Sequence, residues 1–437
     1  MFMRHKSIIL LFLIDIAHIN SGNEDKCSKK RGKDPMKKKI VLAYSGGLDT
    51  SAIIPWLIET YDAEIIAYCS DLGNAPDEDF IGKRAFELGA KEFIFEDLKD
   101  LYTKDFCFPA VRAGAIYQDD YLLGTALGRP LIAERMAAVA KKFDASAIAH
   151  GATGKGNDQV RFERAWAYLA PEVEVIAPWK LWDFTGREDL LKYLHDKGFP
   201  FSSEEKTYSV DVNLFHRSIE GGILEDPSKP YQDTEIYDWV KVPGQWADQP
   251  ESVEITFEKG VPVTVNGEAA SPATLLSQLN TLGGKHGIGV EDIVEERGNG
   301  IKSRGVYETP GGSVLHYAMK QMKHLCWDRH LLNTSRMMGE KWGELVYDGL
   351  WHSDAKLAID GYFDVASQTL TGSVTLQLGW GQMRCLSRKS PYALYDAEMV
   401  SFESDEYQLH KYSLGYCKTI SFGQLSAGKR KKKLNLT

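Results

Sequence analysis

The chain has 437 residues, 43% of them hydrophobic and 26% charged, with a formal net charge of -9 at pH 7. That length leaves room for two or three domains with substantial cores, and the acidic balance argues against a nucleic-acid partner, whose backbone demands clustered Lys and Arg. The six cysteines, Cys27, Cys69, Cys107, Cys326, Cys385 and Cys417, are scattered without a Cys-x-x-Cys pair, so they read as reduced thiols of a cytoplasmic protein, excluding a disulfide framework or zinc site.

Residues 1–35 are expected to form an N-terminal extension, disordered and outside the fold. Met1 to Lys6 is positively charged and Ser7 to Ile14 apolar, like the first two regions of a signal peptide, but Asp15 interrupts the run and no small-x-small cleavage site follows. A lysine-rich polar stretch continues to Lys39. Met36 lies just ahead of the first apolar run, so the functional chain is expected to begin there; export is the alternative. No other stretch approaches the roughly 18 apolar residues of a membrane span.

Ile40 to Tyr44 is an apolar run that reads as a buried strand. Ser45-Gly46-Gly47 follows with little side-chain bulk, and Leu48-Asp49-Thr50-Ser51 opens a helix. Backbone N–H groups can approach a phosphate closely there, and the helix N-terminus favours an anion. A Ser-Gly-Gly turn also occurs in α/β proteins without a ligand. The string is neither a Walker A loop nor a Gly-x-Gly-x-x-Gly dinucleotide fingerprint.

Downstream, Glu64 to Cys69 reads as a strand, Phe80 to Leu88 as a helix and Lys91 to Phe95 as a strand. Pro130 to Phe143 is an Ala-rich helix with Pro in its first turn. Ala145 to His150 is a further strand, leading into Gly151-Ala-Thr-Gly-Lys-Gly-Asn-Asp-Gln-Val-Arg, a second glycine-rich loop. The alternation implies a parallel sheet with ligands at the carboxyl ends of its strands. Beyond Pro200 the character changes. Val253 to Phe257 and Val261 to Val265 read as a hairpin, Ser271 to Leu282 as a helix, and Gly372 to Leu378 with Gln382 to Leu386 as antiparallel strands. The expected fold is therefore α/β, a parallel-sheet nucleotide-binding domain at 36–203, followed by an α+β domain at 204–389 and a polar, solvated C-terminal tail at 390–437.

Ser-Gly-Gly-Leu-Asp-Thr-Ser after a buried strand resembles the pyrophosphate loop (PP-loop) of ATP pyrophosphatases, which cleave ATP between the α and β phosphates. Together with His150-Gly-Ala-Thr-Gly-Lys-Gly-Asn-Asp-Gln-Val-Arg-Phe-Glu, it is similar to the argininosuccinate synthase family. The likeness continues through Tyr121-Leu-Leu-Gly-Thr, Tyr208-Ser-Val-Asp-Val-Asn-Leu, Glu220-Gly-Gly-Ile-Leu-Glu, Gly284-Lys-His-Gly and Lys302-Ser-Arg-Gly-Val-Tyr-Glu-Thr-Pro. It implies a nucleotide-binding domain of PP-loop type followed by a synthetase domain, which together join citrulline to aspartate while converting ATP to AMP and pyrophosphate.

Carried over by position, the resemblance implies ATP contacts from Ala43, Tyr44, Ser45, Gly46, Gly47, Leu48, Asp49, Thr50, Ser51, Ser70 and Gly151. It implies aspartate contacts from Thr153, Asn157 and Asp158, and citrulline contacts from Tyr121, Ala126, Asn157, Arg161, Ser209, Ser218, Glu295 and Tyr307. Asp49, Asp158 and Arg161 are the expected catalytic residues, with Asp158 taking the ammonium of aspartate. It further implies Mg2+ carried by ATP without a protein metal site, small-molecule substrates with neither nucleic acid nor membrane as partner, and a homotetramer. Taken alone, each lone Ser, Tyr or Glu would be a surface or capping residue. Lys155, Arg297 and Lys302 read as solvated loop charges, His150 and His286 as non-catalytic, and His324, Cys326 and His330 as structural.

Some positions depart from the family pattern. Ala126 stands where some members have Ser, leaving Thr125 or backbone to serve. Asn74 stands where many have Gln, and Asp71 where some have Asn. Ser401 to Thr437 carries little likeness to the long C-terminal helix by which family members reach neighbouring subunits. The alternatives are another PP-loop ATP pyrophosphatase, such as a tRNA-modifying synthetase, and a catalytically silent ATP- or citrulline-binding protein.

Overall fold

The computed structural model describes residues 37–74, 77–154, 156–199, 201, 207–401, 403 and 407–434. The expectations for residues 1–35, for Lys155 and for a domain boundary at 203 lie outside the described residues. Lys38–Thr437 forms one compact unit.

The first sheet is parallel and contains β1 (Lys39–Ala43), β2 (Glu64–Asp71), β3 (Glu92–Asp97), β4 (Ala147–Ala149) and β5 (Glu174–Ile176), in the order β3-β2-β1-β4-β5. Apolar residues occupy both faces of β1: Ile40 and Leu42 pack on one side with Ile53 and Leu57, Val41 on the other with Met136 and Trp166. This double burial explains why the strand reads as a continuous apolar run. The strand order reverses between β1 and β4, so their following loops flank the crevice where such sheets bind ligands.

The helix expected from Pro130 begins earlier and spans Gly124–Phe143, with Pro130 inside it. Leu127, Gly128 and Leu131 are buried around the proline, and this tertiary packing offsets its local cost in a helix interior. The shift brings Thr125 and Arg129 onto a helix beside Tyr121.

The second half contains β6 (Ser209–Val212), β7 (Arg217–Glu220), β8 (Glu251–Glu258), β9 (Val261–Val265), β10 (Glu268–Ala269), β11 (Val290–Glu296), β12 (Lys302–Glu308), β13 (Gly372–Gly379) and β14 (Gln382–Lys389). They form two antiparallel sheets, β11-β12-β7-β6 and β10-β9-β8-β13-β14. The hairpin at β8 and β9 and the β13–β14 pair match the alternation in the sequence. Ser271 caps the helix Pro272–Lys285 through Thr274 N, as a Ser before a proline should.

Past Lys389 the expected tail is largely helical. Helices Leu409–Ile420 and Phe422–Lys433 carry no buried residue, although Leu409, Tyr412, Tyr416 and Ile420 are apolar and share one helical face. Isolated aromatics in a polar stretch conceal that periodicity. The described cysteines are free thiols, and no helix among the described residues is long and apolar enough to cross a membrane.

Candidate active site

The loop after β1 is built to leave backbone donors available. Gly46 adopts φ +72°, and a Cβ there would lie 2.9 Å from Ile81 Cγ1, so both conformation and space call for glycine. Gly47 caps the helix Leu48–Tyr61 without a side-chain hydrogen bond, leaving its first N–H groups for an anion. Ser45 N donates to Thr50 Oγ1 at 3.3 Å, and Thr50 Oγ1 donates to Gly47 O at 3.3 Å. Arg84 Nη1 donates to Gly46 O at 3.0 Å, clamping the turn from outside. Tyr44 and Ser51 meet through their hydroxyls at 3.4 Å. Burial pushes the Asp49 carboxyl up in pKa, opposed by Arg187.

The loop after β4 lies alongside. A Cβ on Gly151 would come within 3.0 Å of Thr50 Cγ2, so the two loops touch across the switch point. Ser70 is at the end of β2. The neighbouring departure, Asp71, is buried and holds Lys99 Nζ at 2.7 Å and Gly73 N at 2.7 Å; here the Asp orders the turn after β2.

A separate polar cavity of about 190 Å³ gathers most of the expected amino-acid contacts. Tyr121, Thr153, Asn157, Asp158, Arg161, Ser209, Ser218, Glu295 and Tyr307 all line it. Ala126 is buried and does not, whereas Thr125 does. The pyrophosphate-loop residues, Ser70 and Gly151 are likewise outside its lining.

Strand register explains half of this convergence. Asp211 pairs with Ser218 and Ser218 with Tyr307, while Ser209 pairs with Glu220 and Glu295 with Ser303. Paired residues and their i±2 neighbours share a face, so Ser209, Asp211, Ser218, Glu220, Glu295 and Tyr307 all project from one face of the β11-β12-β7-β6 sheet. The opposite face buries Ile219 and Val306 against Leu224 and Ile236.

A second group comes from the start of the helix Asp158–Leu169. Asn157 occupies the cap position, yet its side chain makes no cap bond. It reaches outward instead, Nδ2 donating to Tyr347 Oη at 2.9 Å and Oδ1 accepting from Gly298 N at 3.0 Å. Arg161 is buried, donating from Nε to Tyr347 O at 3.0 Å and from Nη1 to Asp158 Oδ1 at 3.0 Å. Burial works to raise the Asp158 pKa, but Arg129 and Arg161 outweigh it and hold the carboxyl below its ordinary range. Tyr307 Oη donates to Glu295 Oε1 at 2.8 Å. Glu295 Oε2 is buried with no hydrogen-bond partner among the described residues. An unmatched carboxylate oxygen in a cavity is a site for an N–H donor.

Sequence reading missed Arg129, Asp211, Glu220 and Tyr347, and left Arg297 among the solvated charges. All five line the cavity, and Arg297 donates to Glu220 at 2.7 Å and Ser303 Oγ at 2.9 Å. Asp211 and Glu220 stand two residues from Ser209 and Ser218, a spacing that could have found them; Arg129 stands one helical turn after Thr125. Tyr347 has no comparable signal. Lys302 is exposed and pairs with Glu296 at 3.1 Å. His150 is buried outside the cavity, accepting at Nδ1 from Ala152 N, and burial lowers its pKa.

A glycine turn that leaves backbone donors open at the switch point of a parallel sheet, together with a polar cavity, marks an α/β fold of the nucleotide-binding class. Residues 39–200 match the family model described as the arginosuccinate synthase N-terminal HUP domain, and residues 208–425 that of the arginosuccinate synthase C-terminal domain. The chain is 48% identical over 381 residues to the argininosuccinate synthase of Caldanaerobacter subterraneus subsp. tengcongensis, covering 87% of this chain and 92% of that protein. It is 48% identical to that of Desulfitobacterium hafniense, covering 84% and 92%, and 45% identical to that of Clostridium tetani, covering 88% and 97%. The chain belongs to the argininosuccinate synthase family, ATP-dependent ligases of arginine biosynthesis. The C-terminal match continues to residue 425, past Ser401, where likeness to the family's long C-terminal helix is expected to fade.

Proposed function

We propose that the chain joins L-citrulline to L-aspartate through a citrullyl-AMP intermediate, with the site roles that the sequence suggests. The citrulline ureido oxygen attacks the α-phosphorus of ATP and pyrophosphate leaves. The aspartate amine then attacks the ureido carbon and AMP leaves. Catalysis is mainly positioning, where alignment is worth up to about 7–11 kcal/mol, and stabilisation of developing charge, where one lost donor costs about 3–4 kcal/mol.

The observation that carries the reading is the buried, unmatched Oε2 of Glu295 in a cavity also lined by Arg161 and by the Ser218 and Tyr121 hydroxyls. A zwitterion with a terminal ureido group supplies both the N–H donors and the carboxylate that this set requires. The Ser45 to Ser51 loop supplies N–H and hydroxyl donors suited to ATP phosphates, and Mg2+ would arrive on those phosphates with few protein ligands. Asp158, Asn157 and Thr153 take aspartate. The proposal includes a nucleotide domain through residue 203, a synthetase domain at 204–389, a homotetramer and a cytoplasmic location. The test is ATP/pyrophosphate exchange on the purified protein with citrulline, then product analysis after adding aspartate. Citrulline-dependent exchange followed by AMP and argininosuccinate supports it; ATP binding without either half-reaction overturns it.

A further inference from the structure

One arginine in the cavity is shared between two carboxylates from different parts of the fold. Arg129, on the helix Gly124–Phe143, donates from Nε to Asp158 Oδ2 at 2.9 Å and from Nη2 to Asp211 Oδ2 at 2.8 Å. Asp158 begins the helix after the second glycine-rich loop, whereas Asp211 lies on β6, two residues from Ser209. The arginine therefore ties the residues assigned to aspartate to the strands assigned to citrulline.

Asp211 is itself braced. Its Oδ2 accepts from Thr125 Oγ1 at 3.1 Å, and the same hydroxyl meets His216 Nε2 at 3.0 Å. His216 is fully buried, with its ring 6.0 Å from Tyr307 and 6.3 Å from Tyr121. A Cβ on Gly124 would fall 2.2 Å from His216 Cγ, so glycine is what lets the imidazole reach Thr125. The chain of contacts runs His216, Thr125, Asp211, Arg129, Asp158, and every link is a hydrogen bond.

We infer that Arg129 is a positioning residue through which the citrulline-bearing strands β6 and β7 hold Asp158 in place for aspartate. This inference rests on the site assignment proposed above. The planar guanidinium is suited to the task because it can hold two carboxylates at fixed angles, which an ammonium cannot do. Citrulline against Ser209 and Ser218 touches the strands that hold Asp211, so the two amino acids bind interdependently, and reciprocally.

The experiment compares Arg129→Lys, Asp211→Asn and His216→Gln with Asp158→Ala in the full-length protein. It measures citrulline-dependent ATP/pyrophosphate exchange, the aspartate KM of the overall reaction and the thermal midpoint. Arg129→Lys should raise the aspartate KM about tenfold, a coupling of ordinary size, with a clearly smaller fall in exchange. Asp211→Asn and His216→Gln should shift the ratio of the two half-reactions in the same direction. The effects of Arg129→Lys and Asp211→Asn should combine to less than their product, as expected for linked residues. A parallel loss of exchange and overall turnover, with aspartate KM unmoved, would mean that the arginine is structural and overturn the inference. Asp158→Ala separates the two failures. If it raises the aspartate KM and Arg129→Lys does not, the positioning role fails; if it spares the aspartate step, the site assignment fails.

Discussion

Glu295 and His216 show how a single buried side chain sets a measurable property. Glu295→Gln keeps an acceptor for Tyr307 but replaces the charge facing the cavity. A hydrogen bond to a charged group is worth about 1.5–3 kcal/mol, so the citrulline KM should rise roughly tenfold or more with ATP binding unaffected. Steady-state kinetics with each substrate varied would check this, and an unchanged citrulline KM would remove Glu295 from the subsite. His216 is buried among Asp211, Arg129 and Arg161, and burial lowers its pKa to about 4. The unfolded imidazole titrates near about 6.5, so between these values the unfolded chain binds the extra proton. The associated stability is fully present above about pH 6.5 and lost as pH falls toward 4, about 3 kcal/mol from this group alone. Urea midpoints from pH 7 to pH 4 should decline, and less steeply in His216→Gln.

Among the elements, the proposed chemistry relies on two, the glycine turn after β1 and the four-stranded sheet. The turn depends on a positive φ at Gly46 and on the space beside Ile81. Gly46→Ala should cost about 1 kcal/mol or somewhat more in stability from backbone strain, and should also raise the ATP KM by displacing the backbone donors. Chemical denaturation and ATP-dependent kinetics would check both; wild-type values for both would mean that the turn is not the phosphate cradle. In the sheet, alternation does the work: one set of side chains lines the cavity, the other packs on Leu224 and Ile236. A one-residue slip of β6 would exchange Asp211 for Val210 or Val212 on the cavity face.

For the molecule as a whole, Lys38 onward is one compact unit and the family match begins at residue 39. Deleting residues 1–35 should therefore leave the thermal midpoint and turnover unchanged, as calorimetry and a product assay would show; a collapse of either would assign those residues to the working protein. At the other end, Tyr412, Tyr416, Ile420 and Phe422 are each at least 60% exposed, an apolar display that the proposed tetramer would cover. Truncation after Ser401 should reduce the assembled mass seen by light scattering. A tetramer that survives truncation would be held together elsewhere.

The sequence by itself determined what local chemistry controls. The apolar run at Ile40–Tyr44, the Ser-Gly-Gly turn, the second glycine-rich loop and the β8–β9 hairpin are all set by residue type at short spacing, and the family is legible in their order. Helix limits and long-range partners are different in kind. Pro130 suggested a helix start because local propensity places proline in a first turn, and only the burial of Leu127 and Leu131 carries the helix back to Gly124. The meeting of Arg129 with both Asp158 and Asp211, and of Asn157 with Tyr347, joins residues 29, 82 and 190 positions apart. No periodicity encodes such pairs, because their proximity is created by packing separate helices and a sheet face together around one cavity.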